Sequence, residues 1–335
     1  MTYVLAPLAG FTDAPFRRMC HEGGADLVYT EMVSAAALAH GHGATRHLLE
    51  TMDGEGPVAC QIFGAKEEEV ALAARLVSSL RTRDGAPRFT ELNLNAGCPM
   101  KKVTQCGAGA KLAEDPDKVC RLLQAMVANT DLPVTLKTRL GPHPGATTAF
   151  ALLAAAEQAG AKGIAFHARY TSQMHGGPLH LDVLAELVAR ARIPVGGNGS
   201  VTNVQTAREM AETGVSSILI GRAALANPNI FNELKSALAP TPTTPAPPNP
   251  NTQPSSHPSP CARHLAYVLA FREQLAAKFP EDHVPSVDGF ASVKMHTHLF
   301  RYFNGRPGAA ALRARLNSIR TLAEIREILN QQNMI

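Results

Sequence analysis

Apolar residues recur along this chain with two alternating periods: short runs alternate every second residue, and longer runs between them are apolar every three or four. Within 58–63, Val58, Cys60 and Ile62 share one face and Gln61 takes the other, while in 90–95 Leu92 and Leu94 oppose Asn93 and Asn95. Residues 134–139 set Lys137 and Arg139 opposite Val134 and Leu136, and 163–169 end on His167 and Arg169. Helical spacing covers 67–80, 116–127, 148–159, 181–190 and 202–212. Strand followed regularly by helix predicts parallel pairing.

Strands at 3–8, 25–30, 58–63, 90–95, 134–137, 163–167, 193–197 and 216–220 make eight repeats, which predicts an α/β fold of the (β/α)8 TIM-barrel type. A doubly wound sheet would carry G-x-G-x-x-G after the first strand, where Ala6-Pro7-Leu8-Ala9-Gly10 stands instead. Barrel sites form at the C-terminal strand ends, where these runs place their polar residues. Glycines close strands seven and eight, in Gly196-Gly197-Asn198-Gly199 and Gly221-Arg222; they let backbone N–H groups approach a phosphate.

The 335 residues exceed one barrel of about 250. A Pro-rich run from Pro240 breaks the pattern, dividing the chain into a catalytic barrel (1–238), a linker (239–260) and a helical domain (261–335) with helices at 263–278, 293–303 and 309–329. A cut near Ala239 is expected to cross few contacts.

The densest chemistry is Asn95-Ala-Gly-Cys98-Pro-Met-Lys101-Lys102, which sets a thiol directly after a strand. A thiol of ordinary pKa, about 8.5, is largely protonated at neutral pH and serves as a general acid. Cys20, Cys60, Cys106, Cys120 and Cys261 read as packing residues; without a C-x-x-C pair, neither zinc ribbon nor disulfide framework is indicated, and a reducing cytoplasm is expected. His21, His40, His42 and His47 lack a ligand spacing, so no metal is expected. The net charge of +4 neither demands nor excludes a polyanion. No apolar run approaches the roughly 20 residues of a membrane span, and with the first strand so near the start no signal peptide is expected.

The segment 6–13, Gln61, 95–102, 136–139, 166–169, Gly197-Asn198-Gly199 and Gly221-Arg222 together resemble the tRNA-dihydrouridine synthase family over nearly the whole chain. That resemblance implies a monomer that binds FMN tightly and uses NADPH to reduce a D-loop uridine of tRNA to 5,6-dihydrouridine. Reduced flavin would deliver hydride to C6 and Cys98 a proton to C5, with Asn95, Lys137 and Arg139 on the substrate. The flavin would rest on Pro7, Leu8 and Ala9. Gln61, Lys137 and His167 would contact it, and Asn198, Gly199, Ser200, Gly221 and Arg222 would hold its phosphate. Lys101 and Lys102 of the cysteine loop would face tRNA, as would Lys294, His298, Arg301 and Arg313 of a basic tail that also carries His296, Arg306, Arg315 and Arg320. The chain departs from the family pattern at Leu8 for Met, at Ala168 before Arg169, and at His175.

Three rival readings stand beside this one. An FMN barrel reducing free pyrimidines shares the acid and the phosphate loops but needs no basic tail. A tRNA-binding protein without catalysis needs no Cys98. A flavin-free lyase or isomerase barrel would be colourless.

Overall fold

The computed structural model describes residues 1–146, 148–239, 259–304, 309–332 and 334. Nine strands form one parallel sheet: β1 (Thr2–Leu5), β2 (Leu27–Tyr29), β3 (Val33–Ser34), β4 (Val58–Phe63), β5 (Glu91–Ala96), β6 (Val134–Arg139), β7 (Gly163–His167), β8 (Val195–Asn198) and β9 (Ser217–Ile220). β1 pairs with β9 on one side and β2 on the other, and β2 pairs with β4, so eight staves close into a barrel. The expected TIM barrel is present. β3 is a feature the periodicity missed: it pairs with Ile62 and Phe63 of β4 and continues the second stave beyond a break at residues 30–32. That break brings Met32 to the barrel mouth.

Alternation sorts the side chains into two layers. Leu5, Val28, Cys60, Ile62, Leu92, Leu94 and Leu136 face outward into the main core beneath the helices. Inside the barrel, Val4, Ala6, Tyr29, Ala59, Ala165 and Leu219 form a small apolar cluster, and β5 contributes polar residues: Asn93 and Asn95 are both buried.

The tail folds into Pro260–Lys278, Val287–Tyr302, Ala309–Ser318 and Leu322–Gln331. The single helix expected at 309–329 is two. The first ends at Ser318, and Thr321 caps the second, its hydroxyl accepting from Glu324 N while the Glu324 carboxylate accepts from Thr321 N, a reciprocal capping box. Residues 240–258 of the expected linker, and Arg306, lie outside the described residues.

The expectation of few crossing contacts is not met. Glu50, 5 % exposed, accepts from Arg88 of the barrel at 2.8 Å and from Lys278 of the tail at 2.6 Å. Asp282 of the tail bonds His47 and Arg46, both at 2.9 Å, and Glu22 meets Arg263 and Tyr267. Ala14, from the first barrel helix, belongs to the apolar core of the tail. Buried ion pairs and shared apolar contacts thus cross the joint.

Candidate active site

A cavity of about 740 Å³ opens at the C-terminal ends of the strands, and Pro7, Leu8 and Ala9 form one wall. Cys98 and Asn95 after β5, Lys137 and Arg139 of β6, His167 of β7, Asn198 to Ser200 after β8, and Gly221 and Arg222 after β9 all line it. The structure thus brings together residues more than 200 positions apart. Phe11, Met32, His175 and Arg301 are also among the lining residues. Among the described residues no carboxylate lines the cavity.

The Cys98 loop is set by one amide. Asn95 Oδ1 accepts from the backbone N–H groups of Gly97 at 3.1 Å and Cys98 at 3.0 Å, an Asx turn that leaves the half-buried thiol at the cavity wall. Asn95 Nδ2 donates to Gln61 Oε1 at 2.8 Å, and Gln61 Nε2 donates to Asn93 Oδ1 at 2.8 Å. Asn93 Nδ2 then donates to Thr135 Oγ1, and Thr135 to Glu91, which also accepts from the Tyr29 hydroxyl. Burial pushes the Glu91 carboxyl up and the Tyr29 phenol well above its usual value. Gln61, placed at a flavin edge by resemblance, is fully buried and outside the cavity lining, with each end of its amide in one hydrogen bond. In this geometry it buttresses Asn95.

The cations carry a second lesson. Lys137 Nζ donates to Asn198 Oδ1 at 3.1 Å, and Asn198 Nδ2 to Leu219 O at 2.8 Å. Burial, and secondarily Arg139, lower Lys137 to about 7. Arg139 donates to the carbonyls of Gly97 at 3.0 Å and Met174 at 2.7 Å, tying the cysteine loop to the loop after β7. Arg169 donates to Ser200 Oγ at 2.8 Å and to Gly177 O at 2.9 Å, and lies 3.3 Å from His167 Nε2. Burial, then Lys137, Arg139 and Arg169, push His167 down to about 2, so its ring is neutral at pH 7. Lys137, Arg139, Arg222 and Arg301 line the cavity without a carboxylate among the described lining residues, a setting that favours an anion.

Backbone shape at the mouth agrees. Gly199 has φ of +134°, and a Cβ there would lie 2.7 Å from Leu179 Cδ2 and 3.1 Å from His167 Cδ2. Ser200 follows at φ +49°, a conformation rare for a residue with a side chain. At Gly221 an added Cβ would meet nothing closer than 3.5 Å, so the missing side chain leaves space over the backbone beside Arg222. A phosphate-bearing group such as FMN fits this cradle.

The residues expected to face tRNA divide. Lys101 and Lys102 are exposed on the short helix Lys101–Thr104, Arg313 is exposed with a hydrogen bond to Asn304, and Arg301 is exposed while lining the cavity. His298 does not face solvent: it is 1 % exposed, packed between Phe11, Phe16 and His264, and cannot meet a phosphate. Lys294 is committed to Asp13 at 3.2 Å, with Glu31 at 3.9 Å. Its position on an amphipathic helix looked like a solvated cation because the sequence does not show the carboxylates of the first barrel loops that face it. Arg169 was findable, since it shares the face of His167 two residues on; the arrival of Arg301 at the cavity was not.

Residues 4–334 match the family described as dihydrouridine synthase (Dus). The tRNA-dihydrouridine synthase B of Pseudomonas aeruginosa is 33 % identical over 319 residues, covering 94 % of this chain and 88 % of that one. That of Pseudomonas syringae pv. tomato is 36 % identical over 245 residues, 72 % and 70 % of the two chains. Among solved structures a mandelate oxidase aligns over 70 % of this chain and 69 % of its own at 18 % identity and a TM-score of 0.43, too weak a likeness to bear on the site. With the match running almost from end to end, this chain belongs to the dihydrouridine synthase family.

Proposed function

We propose that the protein reduces a uridine in the D-loop of tRNA to 5,6-dihydrouridine, with FMN as its resident cofactor and NADPH as the electron source. The observation that carries this reading is Cys98 opening onto a cation-lined, carboxylate-free cavity with a glycine cradle, in a chain of this family. FMN bound there and reduced by NADPH would supply hydride to C6 of the uracil. Gly199, Ser200, Gly221 and Arg222 would hold its phosphate, and the wall of Pro7, Leu8 and Ala9 would cover its ring.

The chain's own residues supply the other half of the reaction. Charge that develops on the uracil carbonyl meets Lys137 and Arg139, which are fixed before substrate arrives and so need no reorganisation. Lys137 is poised by burial near neutrality, and a bound anion draws its proton on. Cys98 then gives its proton to C5 as general acid. Arg139 positions this acid as well, because its bond to Gly97 O holds the loop that carries the thiol. Lys101, Lys102, Arg301 and Arg313 provide phosphate contacts for the tRNA around the mouth.

The test is a single turnover. The purified protein should carry a flavin absorbance, lose it with NADPH in the absence of oxygen, and regain it when tRNA lacking dihydrouridine is added. Mass spectrometry should then show one nucleotide heavier by two hydrogens. Reoxidation by free uridine as fast as by tRNA would favour the free-pyrimidine reading, and colourless protein that gains no flavin from added FMN would end both.

A further inference from the structure

Where the helical domain closes on the barrel, side chains of three helices meet out of contact with solvent. Asp13 is the N-cap of Ala14–Glu22, His264 lies on Pro260–Lys278 and His298 on Val287–Tyr302. They are 7 %, 0 % and 1 % exposed, and one ligand-type atom from each lies within 4.8 Å of the other two. His264 Nε2 is buried without a hydrogen-bond partner, and the ring nitrogens of His298 have only a poorly aligned backbone contact at Phe11. Buried polar atoms are seldom left so, and such a group points to an ion or water among them.

We propose that Asp13, His264 and His298 bind one divalent ion of the zinc class, which pins the helical domain to the barrel. Two imidazoles and a carboxylate are the donor set such ions take, with a water in the fourth position. Ligand atoms around a tetrahedral ion with bonds of about 2.0–2.1 Å are about 3.3 Å apart, so the three close on it by side-chain rotation. The outer contacts are already built. His264 Nδ1 lies 3.1 Å from the Tyr302 hydroxyl, which orients the ring with Nε2 free, as metal-bound histidines are usually held. Phe16 and Phe11 pack on the His298 ring at centroid distances of 4.7 Å and 5.5 Å.

Charge at the site is compatible with a cation. Asp13 Oδ1 accepts from Phe16 N at 3.1 Å and Oδ2 from Lys294 at 3.2 Å, which uses two of about four carboxylate lone-pair sites. Glu31, 3.9 Å from Lys294, shares that ammonium with Asp13, so the Asp13 charge is only partly offset. A cavity of about 210 Å³ between the two domains, lined by Asp13 and Lys294, reaches the carboxylate side of the site.

The experiment uses the full-length protein without a histidine tag, stripped with chelator and titrated with Co²⁺ alone. One equivalent should bind with a visible d–d spectrum, be displaced by Zn²⁺, and raise the melting temperature. X-ray absorption of the zinc-loaded protein should show two imidazole ligands. Asp13→Asn keeps a good helix cap while removing the charge, and His298→Gln removes a ligand; each should weaken Co²⁺ binding by more than about 100-fold. Failure of wild type to bind a stoichiometric ion overturns the proposal. So does an equivalent retained in folded Asp13→Asn, or a zinc shell with fewer than two imidazoles, and these two results decide the matter even if His298→Gln does not fold.

Discussion

Replacing Cys98 with Ala removes a thiol but none of the bonds that shape its loop, because Asn95 Oδ1 accepts from backbone N–H groups. Cys98→Ala should therefore keep its flavin and its reduction by NADPH, while dihydrouridine formation falls about 10²- to 10⁴-fold, as loss of a general acid predicts. Product at the wild-type rate would remove Cys98 from the chemistry. A pH measurement tests the cation cluster. His167 lies at about 2 when folded and at 6.5 ordinarily, and Lys137 at about 7 against 10.5. Between each pair of values the unfolded chain binds the extra proton, so both groups make flavin-free protein more stable as pH rises. The urea midpoint should climb from about pH 5 to pH 9, and Lys137→Met should flatten the part above about pH 7. An unchanged slope in that variant would mean that Lys137 is solvated.

At the scale of elements, the loop after β8 and the cap at Thr321 are the sensitive joints. Gly199 cannot take a side chain: φ of +134° and the approach of Leu179 and His167 both oppose a Cβ. Gly199→Ala should distort the cradle and weaken FMN retention on a desalting column far more than it lowers the melting temperature, since the strain falls on a loop and not on the core. Thr321→Ala breaks a reciprocal cap on Leu322–Gln331 and should cost about 0.5–2 kcal/mol in chemical unfolding, with flavin content unchanged.

For the whole molecule the decisive feature is the ion-paired joint between barrel and tail. Removing residues 259–335 would uncover Phe16, now fully buried, and strand Glu50 without Lys278. Exposing one such aromatic side chain costs about 1.5–3 kcal/mol. The barrel alone should melt well below the intact chain, and it should lose most of its tRNA affinity with the exposed arginines of the tail. A truncated barrel with the melting temperature of the full chain would show the domains to be independent. In the intact protein tRNA binding should weaken steeply with salt, because phosphate contacts release counterions; a flat salt response would deny the surface this role.

Residue order determined more of this protein than its modest sequence features suggest. Period-two runs ending in polar residues predicted the barrel and the end of it that carries the site, because strand alternation and the closed parallel sheet leave few other arrangements. Cys98, Lys137, His167 and the glycines of β8 and β9 were legible for the same reason: each stands at a strand end. Tertiary structure decided what the periods cannot express, namely which polar atoms find partners. Gln61 looks like a ligand-facing amide by position, yet its side chain is buried and bonded to Asn93 and Asn95 on the next strand. His298 and Lys294 look like a basic helical face, yet that face is turned onto Asp13 and the first barrel helix. His264 and His298 stand 34 residues apart on separate helices, so no local spacing announces them. Pairing between distant side chains depends on how helices pack, and packing is settled by the whole surface of each element at once.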